Sequence, residues 1–104
     1  QELEVTPTYR VLYTFSEQIL AYSYAVQNLA NVPLEFTLDF SSSVNMLHSS
    51  KTHKIAKQVQ PGQIEFMMHT MSKPNVTNFK RGVKCVQREV IRQANQNINM
   101  HDQQ

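Results

Sequence analysis

The sequence predicts a mainly β fold, a single antiparallel β-sandwich of about five to seven strands with a C-terminal helix or helical tail. Leu34, Phe36, Leu38 and Phe40 alternate with Glu35, Thr37 and Asp39. Apolar side chains therefore leave one side of an extended chain and polar ones the other, as a sheet with one wet face requires. Ile64, Phe66 and Met68 repeat the pattern after Gln60-Pro61-Gly62-Gln63, where Pro and Gly stand at the two central positions of a type II turn. With 104 residues and 40% hydrophobic content, the chain can enclose one continuous core and is too short for two.

A polar lead-in runs to about Pro7. Tyr9, Val11, Tyr13 and Phe15 then alternate with Arg10, Leu12 and Thr14, rich in aromatic and β-branched residues, and form a first strand. Ser16-Glu17-Gln18 interrupts it. Ile19 to Asn28 resumes, with Leu20, Tyr22, Tyr24 and Val26 on one face and Ala21, Ser23 and Ala25 on the other. The two strands pair most simply as a hairpin. Asn31-Val32-Pro33 breaks the pattern, since Pro33 has no N–H for a ladder, and Leu34 to Phe40 follows as the third strand. Ser41 to His53 is polar, anchored only by Val44, Met46 and Leu47, and reads as an excursion between sheets. Ile55 to Val59 is a short edge strand with Lys54 and Lys57 beside it, and Ile64, Phe66 and Met68 are the inward set of a fifth.

Beyond Val76 two readings compete. Val76, Phe79, Val83, Val86, Val90, Ile91, Ala94 and Ile98 are spaced by threes and fours for the most part, which favours an amphipathic helix. Gly82 and the β-branched valines favour instead a last strand near Val83 to Gln87. Residues 93–104 are polar and expected to fray. There is no internal repeat.

Composition excludes several functions. The first residues lack a charged and then apolar leader, and no apolar run approaches the roughly 20 residues of a membrane span. The expectation is a piece of a larger, soluble, cytoplasmic protein. Cys85 is the only cysteine, so there is no internal disulfide and a reducing compartment fits; Asn75-Val76-Thr77 matches the glycosylation pattern, but that compartment sets it aside. Residues 1–50 carry one cation and five acids, residues 51–104 nine cations and three acids, so an anionic partner would meet the second half.

The succession Asn28-x-x-Asn31-x-Pro33-Leu34-x-Phe36-Thr37-Leu38-Asp39, then Ser41-Ser42-Ser43-Val44-Asn45-Met46-Leu47, then Val59-Gln60-Pro61-Gly62-Gln63-Ile64-Glu65-Phe66-Met67-Met68-His69 resembles the β-sandwich domain of calpain-type proteins, which is similar in architecture to a C2 domain. The resemblance covers roughly residues 22–69. It implies a non-catalytic module that contacts neighbouring domains, partner proteins or membranes, and no residue here matches a catalytic position of that family. Calcium-dependent C2 domains need several loop carboxylates, because Ca²⁺ takes 6–8 oxygen ligands. The only aspartates here are Asp39 and Asp102, which argues against calcium-triggered membrane binding.

The residue chemistry points away from catalysis. His48, His53, His69 and His101 match no metal-ligand spacing, and one cysteine supplies no thiolate set; no metal or cofactor is expected. Cys85 reads as a small core residue. Ser41, Ser42 and Ser43 lack the glycines of a nucleophile elbow, and with only Gly62 and Gly82 no phosphate-cradling loop forms. Tyr9, Tyr13, Tyr22 and Tyr24 could stack bases, although tyrosines on an alternating face more often pack in a core.

The reading that remains is a non-enzymatic protein-interaction or scaffolding domain. Its expected partner-binding residues are Met67 and Met71, outward or in the following loop, with Met46 and Leu47; an unpaired strand edge offers a second route. The alternative is an anion-binding module for RNA or acidic lipid headgroups, using Lys80, Arg81, Lys84, Arg88 and Arg92. On a helix, the last four of these form one cationic stripe.

Overall fold

A computed structural model describes residues 1–50 and 52–90. These residues fold into eight strands: β1 (Glu2–Val5), β2 (Tyr9–Ser16), β3 (Ala21–Asn28), β4 (Leu34–Asp39), β5 (Met46–His48), β6 (Lys54–Val59), β7 (Ile64–Ser72) and β8 (Lys84–Glu89). A five-stranded antiparallel sheet, β1-β2-β3-β7-β5, faces a three-stranded one, β6-β4-β8. The alternation in β2, β3 and β4 explains the arrangement. Tyr9, Val11, Tyr24 and Val26 of the larger sheet meet Leu34, Phe36, Leu38, Phe40 and Val59 of the smaller in one buried core. Each large side chain so buried contributes about 1.5–3 kcal/mol.

The connection between the sheets is fixed by a buried polar group. Asn28 is fully buried at the end of β3. Its Nδ2 donates to the carbonyls of Val32 and Val59, both at 2.9 Å, and its Oδ1 accepts from Ala30 N at 2.8 Å. One side chain thereby ties the five-stranded sheet to the loop before β4 and to the end of β6. The Pro61-Gly62 turn has the expected form: Gly62 lies at φ 78° and Gln63 N donates to the Gln60 carbonyl at 3.1 Å.

Four expectations change. The lead-in contains β1, an edge strand held by its partner: Leu3 packs on the core, Glu2 accepts from Arg10 and Glu4 from the Tyr9 hydroxyl. The 41–53 excursion contains β5, paired to the end of β7. In β7 the inward set is not Ile64, Phe66 and Met68. The register jumps from Tyr24↔Met68 to Ala25↔Phe66, so Met67 is the extra residue of a β-bulge. Met67 and Met68 are both buried, Thr70 follows them inward, and Ile64 and Phe66 are exposed. Finally, the described part of the expected C-terminal helix contains none. Lys84 to Glu89 pair antiparallel with β4 along its whole length, because the free edge of β4 satisfies a row of backbone groups at once. Residues 91–104, with the expected frayed tail, lie outside the described residues.

Candidate functional site

The outer face of the five-stranded sheet changes character along its length. Toward Pro61-Gly62 it carries Arg10, hydrogen-bonded to Gln27 and ion-paired with Glu2 at 2.6 Å. Toward the β2–β3 turn the cross-strand rows read Ser16, Ala21, Met71, Leu47 and then Thr14, Ser23, His69. Small side chains on β2 and β3 make a floor, and larger ones on β7, β5 and the β2–β3 turn stand around it. The result is a groove of about 570 Å³ bordered by Phe15, Ile19, Leu47 and Met71. Ile19, 59% exposed, is carried over the rim by the turn after β2. There Leu20 takes φ 50°, a left-handed conformation that costs a non-glycine residue about 1–2 kcal/mol.

At the floor, Ser23 Oγ and His69 Nδ1 share a hydrogen bond of 2.8 Å, and the Phe66 ring lies 4.5 Å from the imidazole. A hydroxyl beside an imidazole is the start of a nucleophile–base pair, but no carboxylate hydrogen-bonds the other side of this ring among the described residues. The Ser23 and His69 backbones belong to paired strands, so their own amides are engaged in or beside the sheet. This pair is a cross-strand contact that the sequence reading missed. Alternation about the inward Tyr24 and Met68 places Ser23 and His69 both outward; what the sequence hides is the β3–β7 register that sets them opposite each other.

The expected partner-binding residues divide. Leu47 and Met71 are cross-strand neighbours on the groove wall. Met67, expected outward, is 3% exposed, and Met46 is 6% exposed; both belong to the interior. The expected cationic residues do not make one face. Lys84 and Arg88 lie on the outer face of the three-stranded sheet, where Arg88 pairs with Glu35 at 2.7 Å. Lys80 bridges to Val44, Arg81 stacks on Tyr13 and Tyr22, and Arg92 lies outside the described residues. The stripe needed a helix from 81 to 92, and β8 removes that geometry.

Titratable groups are placed for packing. His48, expected in a polar loop, ends β5 with its ring 5.7 Å from Phe40 and 5.2 Å from His53. Burial first, and the neighbouring imidazole second, hold its pKa below the ordinary value of 6.5. Cys85 is pushed up to about 11, first by burial and then by Glu4, so its thiol stays protonated at neutral pH. Among the described residues, no three His, Cys, Asp or Glu side chains gather to hold a metal ion, and no helix is long and apolar enough to cross a membrane. No protein-family model, curated protein or solved structure matches the chain.

Proposed function

We propose that this chain is a non-catalytic protein-interaction domain that receives an amphipathic helix of a partner protein in the groove beside the β2–β3 turn. The observation that carries this reading is the floor of Ser16, Ala21, Thr14 and Ser23 below a rim of Ile19, Leu47 and Met71. An apolar patch of this kind on a wet sheet face is unusual unless something covers it. Floor and far wall together cross from β2 to β5, three strand spacings or roughly 14 Å, with the small residues confined to β2 and β3 and Met71 and Leu47 on β7 and β5; a helix of about 10–12 Å diameter would lie on β2 and β3 against that wall. Strand addition beside the groove fits less well, because its edge strand β5 is three residues long and offers an added strand little ladder; the six-residue edges β6 and β8 belong to the other sheet. Leu47 and Met71 supply adaptable apolar contact of the sort that grips helices. The resemblance to calpain-type sandwich domains points to the same class of role.

RNA or acidic-lipid binding is the less supported reading, because Lys84 and Arg88 sit beside acids on the three-stranded sheet, apart from Lys80 and Arg81. A peptide-display selection against the 104-residue chain tests the reading. Enriched peptides should carry apolar residues at i, i+3, i+4 and i+7, and lose affinity for Ala21→Glu. Enrichment of extended or polybasic peptides, or of none, would refute it.

A further inference from the structure

On the opposite, inner face of the same hairpin, the sandwich is left partly open. Tyr24 is fully buried against Phe40, while Phe15, one strand pair further on, is 41% exposed. Phe15, Tyr22 and Tyr13 form a continuous aromatic shelf there, with ring centroids 4.6 and 6.0 Å apart. Arg81 lies across it, its guanidinium carbon 4.7 Å from the Tyr13 ring and 4.9 Å from that of Tyr22.

Of the three described arginines, Arg10 and Arg88 are committed to Glu2 and Glu35. Arg81 has no carboxylate partner among the described residues. Stacking holds its plane without consuming its N–H donors; one side of the guanidinium lies near the Tyr24 hydroxyl, no carboxylate takes the rest, and the fork can receive an oxyanion. Its backbone is held too. Lys80 and Val44 exchange two hydrogen bonds, of 2.8 and 2.9 Å, and Ser43 Oγ donates to the Gly82 carbonyl at 2.9 Å while accepting from Gly82 N at 3.1 Å. Gly82 is required for this clasp, because a Cβ there would sit 2.8 Å from the Ser42 carbonyl carbon. Beneath the guanidinium, the buried Tyr24 hydroxyl has no hydrogen-bond partner; burial raises its pKa and the Arg81 charge opposes that rise. The cavity over the shelf is about 570 Å³, and Glu17 also lines it.

We infer that this shelf binds a single carboxylate carried beside an aromatic or apolar group on a peptide, with the oxyanion on Arg81 and the apolar group on Phe15 and Tyr22. Arg81 is the one cationic side chain lining the cavity, which suits a monoanion, whereas a polyanion such as RNA or a lipid surface needs several cations in a row. The shelf shares Phe15 with the edge of the groove, but its anion-binding group, Arg81, lines the shelf only, so the inference does not rest on a helix in the groove.

The test is an NMR titration of the 104-residue chain with three probes: acetyl-Glu-Phe-amide, acetyl-Gln-Phe-amide, and acetyl-phenylalanine with a free carboxylate. At least one carboxylate probe should saturably shift the Arg81 Nε–H and the Tyr13 and Tyr22 ring signals, and the tighter one tells whether a side chain or a chain terminus is preferred. The Gln peptide should bind at least about fivefold more weakly than the Glu peptide. Arg81→Gln should abolish that difference, and Glu17→Gln should tighten the carboxylate probes about twofold by removing repulsion. The inference fails if neither carboxylate probe binds, if Glu and Gln peptides bind alike, or if Glu17→Gln weakens binding.

Discussion

The two outer faces of the sandwich are built differently. On the three-stranded sheet, Glu35 stands between Gln58 and Arg88, and Asp39 between Lys54 and Lys84, with ion pairs at 2.7 and 4.0 Å. Charged rows of opposite sign thus flank an uncharged middle row of Ala56, Thr37 and Val86 on that face. The five-stranded sheet presents small residues ringed by Ile19, Leu47 and Met71 at one end, with no ion pair among them. The contrast shows that the same alternation builds a groove on one face and a flat, charge-paired surface on the other, according to the size and charge of the outward residues.

The largest expected effect removes the tie that both faces share. Asn28→Ala leaves the Val32 and Val59 carbonyls and the Ala30 N–H without their partner, and should destabilise the fold by about 3 kcal/mol in urea unfolding. Helix binding should then fall only as far as the folded fraction does. Next comes the groove itself. Ala21→Glu should weaken a selected helical peptide by about 2 kcal/mol, or roughly thirtyfold, with little change in the unfolding midpoint. Ala56→Glu, on the opposite face, should leave the affinity unchanged; equal losses would erase the contrast.

His48 gives a pH effect behind the groove. Its folded pKa is depressed, so the unfolded chain binds more protons. Its contribution is complete above the unfolded value of about 6.5 and is lost as pH falls toward the folded value. Urea midpoints should therefore drop between pH 7.5 and 5.5, and His48→Gln should flatten the drop. The smallest effect is on the charged face: Arg88→Ala should cost about 0.5 kcal/mol or less, because its pair with Glu35 is open to solvent.

The sequence made β2, β3, β4 and β6 legible because each carries its own period-two pattern or lysine-marked edge. What it hid depends on partners. β1 and β5 are short, and their pairing is decided by β2 and β7. In and around β8, Val83, Val86 and Val90 fit a helix as well as a strand until the open edge of β4 is supplied. The site was half legible for the same reason. Leu47 and Met71 stood out as apolar residues in polar surroundings. Met67 looked equally available, and only the bulge opposite Tyr24 takes it into the core. Ala21 and Ser23 read as an unremarked small face, although their smallness makes the groove, and Arg81 was assigned to a helical stripe instead of an aromatic shelf.

Backbone amide chemical-shift mapping of a selected amphipathic helical peptide onto the labelled chain tests the central claim most directly. Saturable shifts at Ala21, Ser23, Leu47, His69 and Met71, with Glu35, Thr37 and Val86 unmoved, are the expected result. Shifts concentrated on the three-stranded sheet, or spread evenly over both faces, would contradict it.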